Sequence, residues 1–299
     1  MSRRGWLLFA LMSVIWGIPY LMIKVAVAGV SVPVLVFART AIGAAVLLPL
    51  ALRGGHLAVL RRHWRPLAAF AALEIIVPWW LLSDAERQLS SSMTGLLIAA
   101  SPIIAVLLSR CTGDAERLSL TRWAGLAVGL AGVAVLAAPG LRGGNPWSAL
   151  EVLLAATCYA IAPLIVARRL ADVPALPMTA ACLGLAALVY APPAALTWPA
   201  ALPAGRVLAA LAGLAVLCTA LAFVVFFALI REVGAARALV FTYVNPAVAV
   251  SAGVLLLGEP LTASMLAAFV LILGGSALAA GTVRAPARRR PALRSAVGR

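Results

Sequence analysis

The sequence predicts an all-α integral membrane protein of ten transmembrane helices, arranged as two inverted five-helix repeats. Three observations predict it: an apolar composition, ten apolar runs of spanning length, and a match of the chain to itself at one shift. Of the 299 residues, 64% are apolar and 11% charged, and the mean hydropathy is +1.08. A water-soluble surface could not be built from so few polar groups, so lipid is the expected solvent for most of the chain.

A hydrocarbon core about 30 Å thick takes about 20 helical residues. Runs of that length lie near 6–26, 31–52, 66–84, 91–109, 121–139, 147–167, 176–197, 207–229, 236–257 and 262–281. The first follows Arg3 and Arg4 as a signal peptide would. It is long, however, and shows no small-x-small cleavage site before Lys24, so it reads as an uncleaved span. If the N-terminus is inside, the inner segments carry nineteen arginines: Arg3, Arg4, Arg53, Arg61, Arg62, Arg65, Arg110, Arg117, Arg122, Arg168, Arg169, Arg231 and Arg237, with six more in the tail from Arg284 to Arg299. The outer side holds Lys24, Arg87, Arg142 and Arg206, and Arg39 falls within span two. The excess of positive charge inside places both termini in the cytoplasm and the chain in the cytoplasmic membrane.

Shifting the chain by 144 residues superposes Pro19 on Pro163, Lys24 on Arg168, Pro33 on Pro177, Pro49 on Pro193, Arg87 on Arg231 and Pro102 on Pro246. At a shift of 143, Glu116 meets Glu259, Leu118 meets Leu261, Ser119 meets Thr262 and Gly132 meets Gly275. The units are residues 1–142 and 143–282, followed by a basic cytoplasmic tail, 283–299. Five spans is an odd number, so the second copy enters the membrane from the opposite side. Exchanging the conformations of two inverted halves turns an inward-open cavity into an outward-open one, which points to transport.

The same residues carry a resemblance to the EamA-type, ten-span branch of the drug/metabolite transporter superfamily. It lies in Trp16-Gly17, Arg39, the stretch from Ala85 to Pro102, and Gly113 through Glu116, and it recurs as Asn245-Pro246 and Gly258-Glu259. It covers residues 5–281 and departs from the family pattern in reading Gly-Asp-Ala-Glu where a direct Gly-Glu is usual. The resemblance implies secondary transport of small metabolites, often export, through a central cavity lined by spans one to four and six to nine, with spans five and ten bracing the fold.

Other functions lack their motifs. Lys24 is the only lysine and no GxxxxGK leads to it, so the chain carries no P-loop. His56 and His63 show no HExxH pattern, no GxSxG elbow is present, and Cys111, Cys158, Cys182 and Cys218 show no CxxC spacing. An enzyme, a metal site and a cofactor are not expected. The net charge of +15 sits between spans and in the tail without interleaved aromatics, which argues against nucleic acid as a partner.

Candidate substrate-binding residues are Trp16, Tyr20, Arg39, Glu74, Tyr159, Tyr243 and Asn245. A charge at a helix centre is expensive in lipid, about 2.5–3.5 kcal/mol on insertion scales, so Arg39 and Glu74 need a reason. Their backbones should differ in height by only about 6 Å at about 1.5 Å per residue. They read either as an ion pair or as a substrate or proton site. Trp16 and Tyr20 are i,i+4 neighbours, with rigid apolar area and a polar handle suited to a cavity. Trp6, Trp79, Trp80 and Trp147 read as an interfacial belt.

Pro102 and Pro246 are paired by the repeat and are the expected hinges. Glu116 and Glu259 read as helix caps ahead of Ser119 and Thr262. Gly125, Gly129 and Gly132 form a small-residue packing face, which also makes a homodimer conceivable. Glu74 is the one carboxylate expected deep in a span. Glu86 and Glu259 are expected at span ends or in loops, and Glu151 about a turn inside span six.

The function expected is a secondary transporter moving a small amino-acid-like or drug-like metabolite, with protons as the candidate coupling ion. The alternatives are a carrier of phosphorylated or nucleotide-linked sugars, which would want several buried cations where only Arg39 is deep, or a non-transporting receptor or scaffold.

Overall fold

The structure is a computed structural model and is described for residues 1–53, 57–111, 119–141 and 146–280; Glu116 and the tail 283–299 lie outside these residues. Among the described residues every regular element is helical. In chain order these are α1 (Arg3–Ile15), α2 (Pro19–Ala26), α3 (Val32–Leu52), α4 (Leu57–Arg62), α5 (Trp64–Ala71), a π segment (Ala72–Ile76), α6 (Val77–Ala85), α7 (Ser91–Ile98), α8 (Ser101–Cys111), α9 (Leu120–Leu141), α10 (Pro146–Arg169) and α11 (Ala175–Leu196). There follow α12 (Gly205–Ala212), a second π segment (Gly213–Leu221), α13 (Ala222–Val233), α14 (Ala235–Ala238), a 3₁₀ turn (Leu239–Tyr243), α15 (Asn245–Leu257) and α16 (Ala263–Ala280). Eight stretches are long and apolar enough to cross a membrane, and the shorter apolar helices 245–257 and 263–278 follow them.

Local chemistry sets the starts and stops. Ser2, Ser31 and Ser90 each accept a hydrogen bond from the amide three residues on, from Gly5, Val34 and Met93, and Thr262 does the same for Met265. Helix α13 stops at Gly234, φ +83°, and α15 at Gly258, φ +66°, backbone that glycine adopts without strain. Proline marks breaks inside spans. Pro19 opens α2, Pro102 lies in the first turn of α8, and Pro246 in the first turn of α15, where the missing N–H is not needed. Pro102 and Pro246 thus stand beside the interruptions between α7 and α8 and before α15.

Small residues let the rods approach. Helix α9 packs along α16. A Cβ added at Gly132 would stand 2.8 Å from the Leu271 Cβ, and one at Gly275 would run into the Gly129 backbone. The glycine face of α9 is therefore filled by α16 of the same chain. A large apolar cluster joins Ile23, Leu35, Leu47 and Ile75 to Leu183, Leu214 and Cys218. Leu7, Leu188, Leu255 and Val270 point outward and are exposed, as lipid-facing side chains must be. At one end Ser2 and Arg4 meet Glu232, and His63 meets Asp172, tying early helices to late ones.

Candidate functional site

A buried polar cluster forms where α2, α3, α6 and α10 meet the second π segment. Arg39 of α3 is 7% exposed. Its Nε donates to the Thr219 Oγ1 at 2.9 Å, and its guanidinium carbon stands 3.6 Å above the centre of the Trp79 ring. The π geometry prepares Thr219, whose hydroxyl donates to the Leu214 carbonyl five residues back at 2.8 Å and still accepts from Arg39. Gly43, one turn beyond Arg39, makes the approach feasible, because a Cβ there would lie 2.8 Å from the Thr219 Cγ2. A guanidinium over an indole gains a cation–π attraction that grows when both are desolvated.

Tyr20, Tyr159, Cys218 and Glu86 lie within electrostatic reach of Arg39, and the Trp79 indole reaches the Tyr159 hydroxyl. Tyr20 packs beside Gly95 of α7, where an added Cβ would stand 3.4 Å from its ring. Glu74 sits half-buried on the first π segment, with Cys158 and Tyr159 of α10 and Cys182 of α11 as electrostatic neighbours.

The expected residues divide. Tyr20, Arg39 and Tyr159 come together, with Glu74 beyond Tyr159. Arg39 and Glu74 do not pair: among the described residues the ion pairs are Arg4–Glu232, His63–Asp172 and Arg87–Asp84. The reason is that Trp79 and Thr219 take up the guanidinium, while Glu74 faces α10 and α11.

Trp16 and Tyr20 do not share a helix face either, because the chain breaks at 16–18 between α1 and α2. Trp16 packs among Phe223, Phe226 and Phe241 at centroid separations of 5.6, 5.0 and 5.4 Å, whereas Tyr20 joins the cluster built on Leu96 and Val152. Asn245, with its amide turned so that the nitrogen donates to the carbonyls of Ser13 and Phe241 at 3.2 and 3.1 Å, ties α1 to α15. Tyr243 is half-buried on the 3₁₀ turn.

Sequence reasoning missed three groups. Trp79 is not a belt residue: it is buried beneath Arg39, while Trp6 and Trp147 are more than half exposed. Spacing four residues before Ser83 and five after Glu74 gave no hint of this. Thr219 carries no sequence signal at all. Glu86, expected at a span end, is completely buried.

Around Glu86 the turn 86–90 is clamped twice. Lys24 Nζ donates to the carbonyls of Glu86 and Leu89 at 2.7 and 2.8 Å. The Glu259 carboxylate accepts from the amides of Ser91 and Ser92 at 2.7 and 3.0 Å and from the Ser92 hydroxyl at 2.5 Å. Cation at the C-terminal end of α6 and anion at the N-terminal end of α7 both match the helix dipoles. Glu259 therefore caps α7, and Thr262 caps the helix that follows Glu259. Partial burial alone would raise the Glu259 carboxyl, but the hydrogen bonds from Ser92 and Ser91 outweigh it and hold the group below the usual carboxylate range.

Comparison with known proteins places this architecture. The model of the EamA-like transporter family matches residues 3–138 and again 146–281. The chain is 34% identical over 262 residues to the uncharacterized inner membrane transporter YedA of Escherichia coli (strain K12), covering 85% of this chain and 83% of that protein. It is 28% identical over 283 residues to the uncharacterized transporter YvbV of Bacillus subtilis (strain 168), covering 91% and 90%. One crystal structure superposes with a TM-score of 0.64 at 24% identity, covering 93% of this chain and 98% of the other, a likeness of fold. The chain is a multi-pass membrane protein and belongs to the EamA-like transporter family, within the drug/metabolite transporter superfamily.

Proposed function

We propose that the protein is a secondary transporter that exports a small amino-acid-like or drug-like metabolite across the cytoplasmic membrane by alternating access. Ten spans form two inverted five-helix halves, 1–142 and 143–282, with both termini cytoplasmic and protons as the coupling ion. The observation that carries the reading is the family match to each half in turn, together with the buried Arg39–Thr219 contact that joins one half to the other.

A fixed cation beside Tyr20, Tyr159 and Trp79 suits a metabolite with a carboxylate and an apolar or aromatic body, the anion meeting Arg39 and the body meeting the rings. Glu74 lies further along the same path and faces the other end of such a substrate. Trp16, Tyr243 and Asn245 line the approach from the mouth that holds α14, and Pro102 and Pro246 supply the hinges.

The test compares metabolites inside and outside cells that carry the protein, the Arg39→Ala variant, or neither. Wild type is expected to enrich one or a few carboxylate-bearing metabolites in the medium, and Arg39→Ala to lose that enrichment at normal abundance in the membrane. Identical metabolite profiles in all three would overturn the reading.

A further inference from the structure

Around the turn 86–90 the buried side-chain atoms without a hydrogen-bond partner are both carboxyl oxygens of Glu86 and the Ser91 hydroxyl. The Glu86 side chain is 0% exposed. The ammonium, guanidinium and amide donors nearby are committed elsewhere. Lys24 gives its ammonium protons to two carbonyls of the turn, and the amides of Ser91 and Ser92 serve Glu259. Arg87, the adjacent cation, turns outward to Asp84 at 3.3 Å. An ionised carboxylate buried without a hydrogen bond is very costly, and such a group neutralises instead.

The ionisable groups facing it are Lys24 and Tyr20 from α2, Arg39 from α3, and Glu259 from the segment between α15 and α16. Glu86 lies in the turn beyond the span 64–85. Burial pushes its carboxyl well above the ordinary carboxylate range; Lys24 and Arg39 pull the other way, and Glu259 adds to the rise.

We infer that Glu86 is a proton-binding site, protonated while the Lys24 and Glu259 clamps hold the turn closed and ionised when they release it to water. The inference rests on the transport reading for its use, because a proton held at one mouth and released on opening is what a proton-coupled carrier requires. The chemistry is a plain transfer: the proton leaves the carboxyl oxygen for water as the turn opens and returns before it recloses. Opening costs the three hydrogen bonds to Glu259 and the two from Lys24, and solvation of the freed carboxylate offsets part of that loss.

The full chain in liposomes, with no substrate present, tests this by pH-difference infrared spectroscopy. Wild type is expected to show a protonated carboxylic C=O component that disappears as the pH is raised from mildly acidic to alkaline. Glu86→Gln should delete that component, Glu86→Asp should move it, and Glu74→Gln should leave it in place. Should Glu86→Gln fail to fold, the shift in Glu86→Asp carries the assignment.

A wild-type spectrum without a titrating component, or one untouched by both Glu86 substitutions, overturns the proposal. The measurement needs no transport. A protein that exports nothing but shows the Glu86 band refutes the carrier reading alone, and one that exports normally with a band indifferent to Glu86 refutes this site alone.

Discussion

At the scale of single residues, the site is organised by what Arg39 finds in place of a counter-ion. A guanidinium presents a rigid fork and a flat face, and here the fork meets Thr219 while the face meets Trp79. Thr219→Val keeps the shape and removes the acceptor. A hydrogen bond to a charged group is worth about 1.5–3 kcal/mol, so the variant should unfold in detergent at a measurably lower temperature than wild type, and Arg39→Lys should not recover the loss. An unchanged melting temperature for Thr219→Val would mean that Arg39 is satisfied without it.

The sequence identified Arg39 because a charge in an apolar run stands out against its surroundings. It did not identify Trp79, because the aromatic signal is the same for a ring at the interface and a ring under a guanidinium. Glu86 escaped for a related reason: position along the chain marks the end of a helix, whereas burial of a turn depends on Lys24 and Glu259, one from the preceding spans and one from the other half.

At the scale of elements, the lipid requirement made helix positions legible, since each apolar run must be long enough to cross. Each of the ten expected runs falls on a described helix or string of helical segments. Their interruptions were less legible. Proline announced the breaks before α2, α8 and α15, but the π segments at 72–76 and 213–221 contain no proline, and Gly213 at the start of the second is one glycine among many in the apolar runs. The π segments lie where side-chain hydroxyls take backbone carbonyls: Tyr190 of α11 donates to the Ile76 carbonyl, and Thr219, inside the second segment, to that of Leu214.

Capping behaved similarly. A carboxylate near a helix start is readable, but which helix it caps is a tertiary fact, and Glu259 serves α7.

That cap has a pH signature. The Glu259 carboxyl is held below its ordinary range in the folded protein, so it stabilises the fold fully above the unfolded value, about 4.3. That contribution is lost as the pH falls through the lower folded value. The melting temperature of Glu259→Gln should therefore lie furthest below wild type near neutral pH, and the gap should narrow as the medium is acidified below about pH 4. A gap of constant size would show that the carboxylate charge contributes nothing to the cap.

At the scale of the molecule, the account depends on two halves of like sequence lying in opposite senses across the bilayer. The shift of 144 residues pairs Arg87 with Arg231, and the proposed five spans per half would put that pair on opposite faces. Both side chains are exposed, Arg87 in the turn beyond α6 and Arg231 in the last turn of α13, so each position reports its own side. Chains with a single cysteine at 87 or 231, in a background where the four native cysteines are replaced, are to be treated in intact cells with a membrane-impermeant maleimide. The account predicts that the cysteine at 87 is labelled from outside and the one at 231 only after the membrane is permeabilised; equal labelling of both from outside would contradict it.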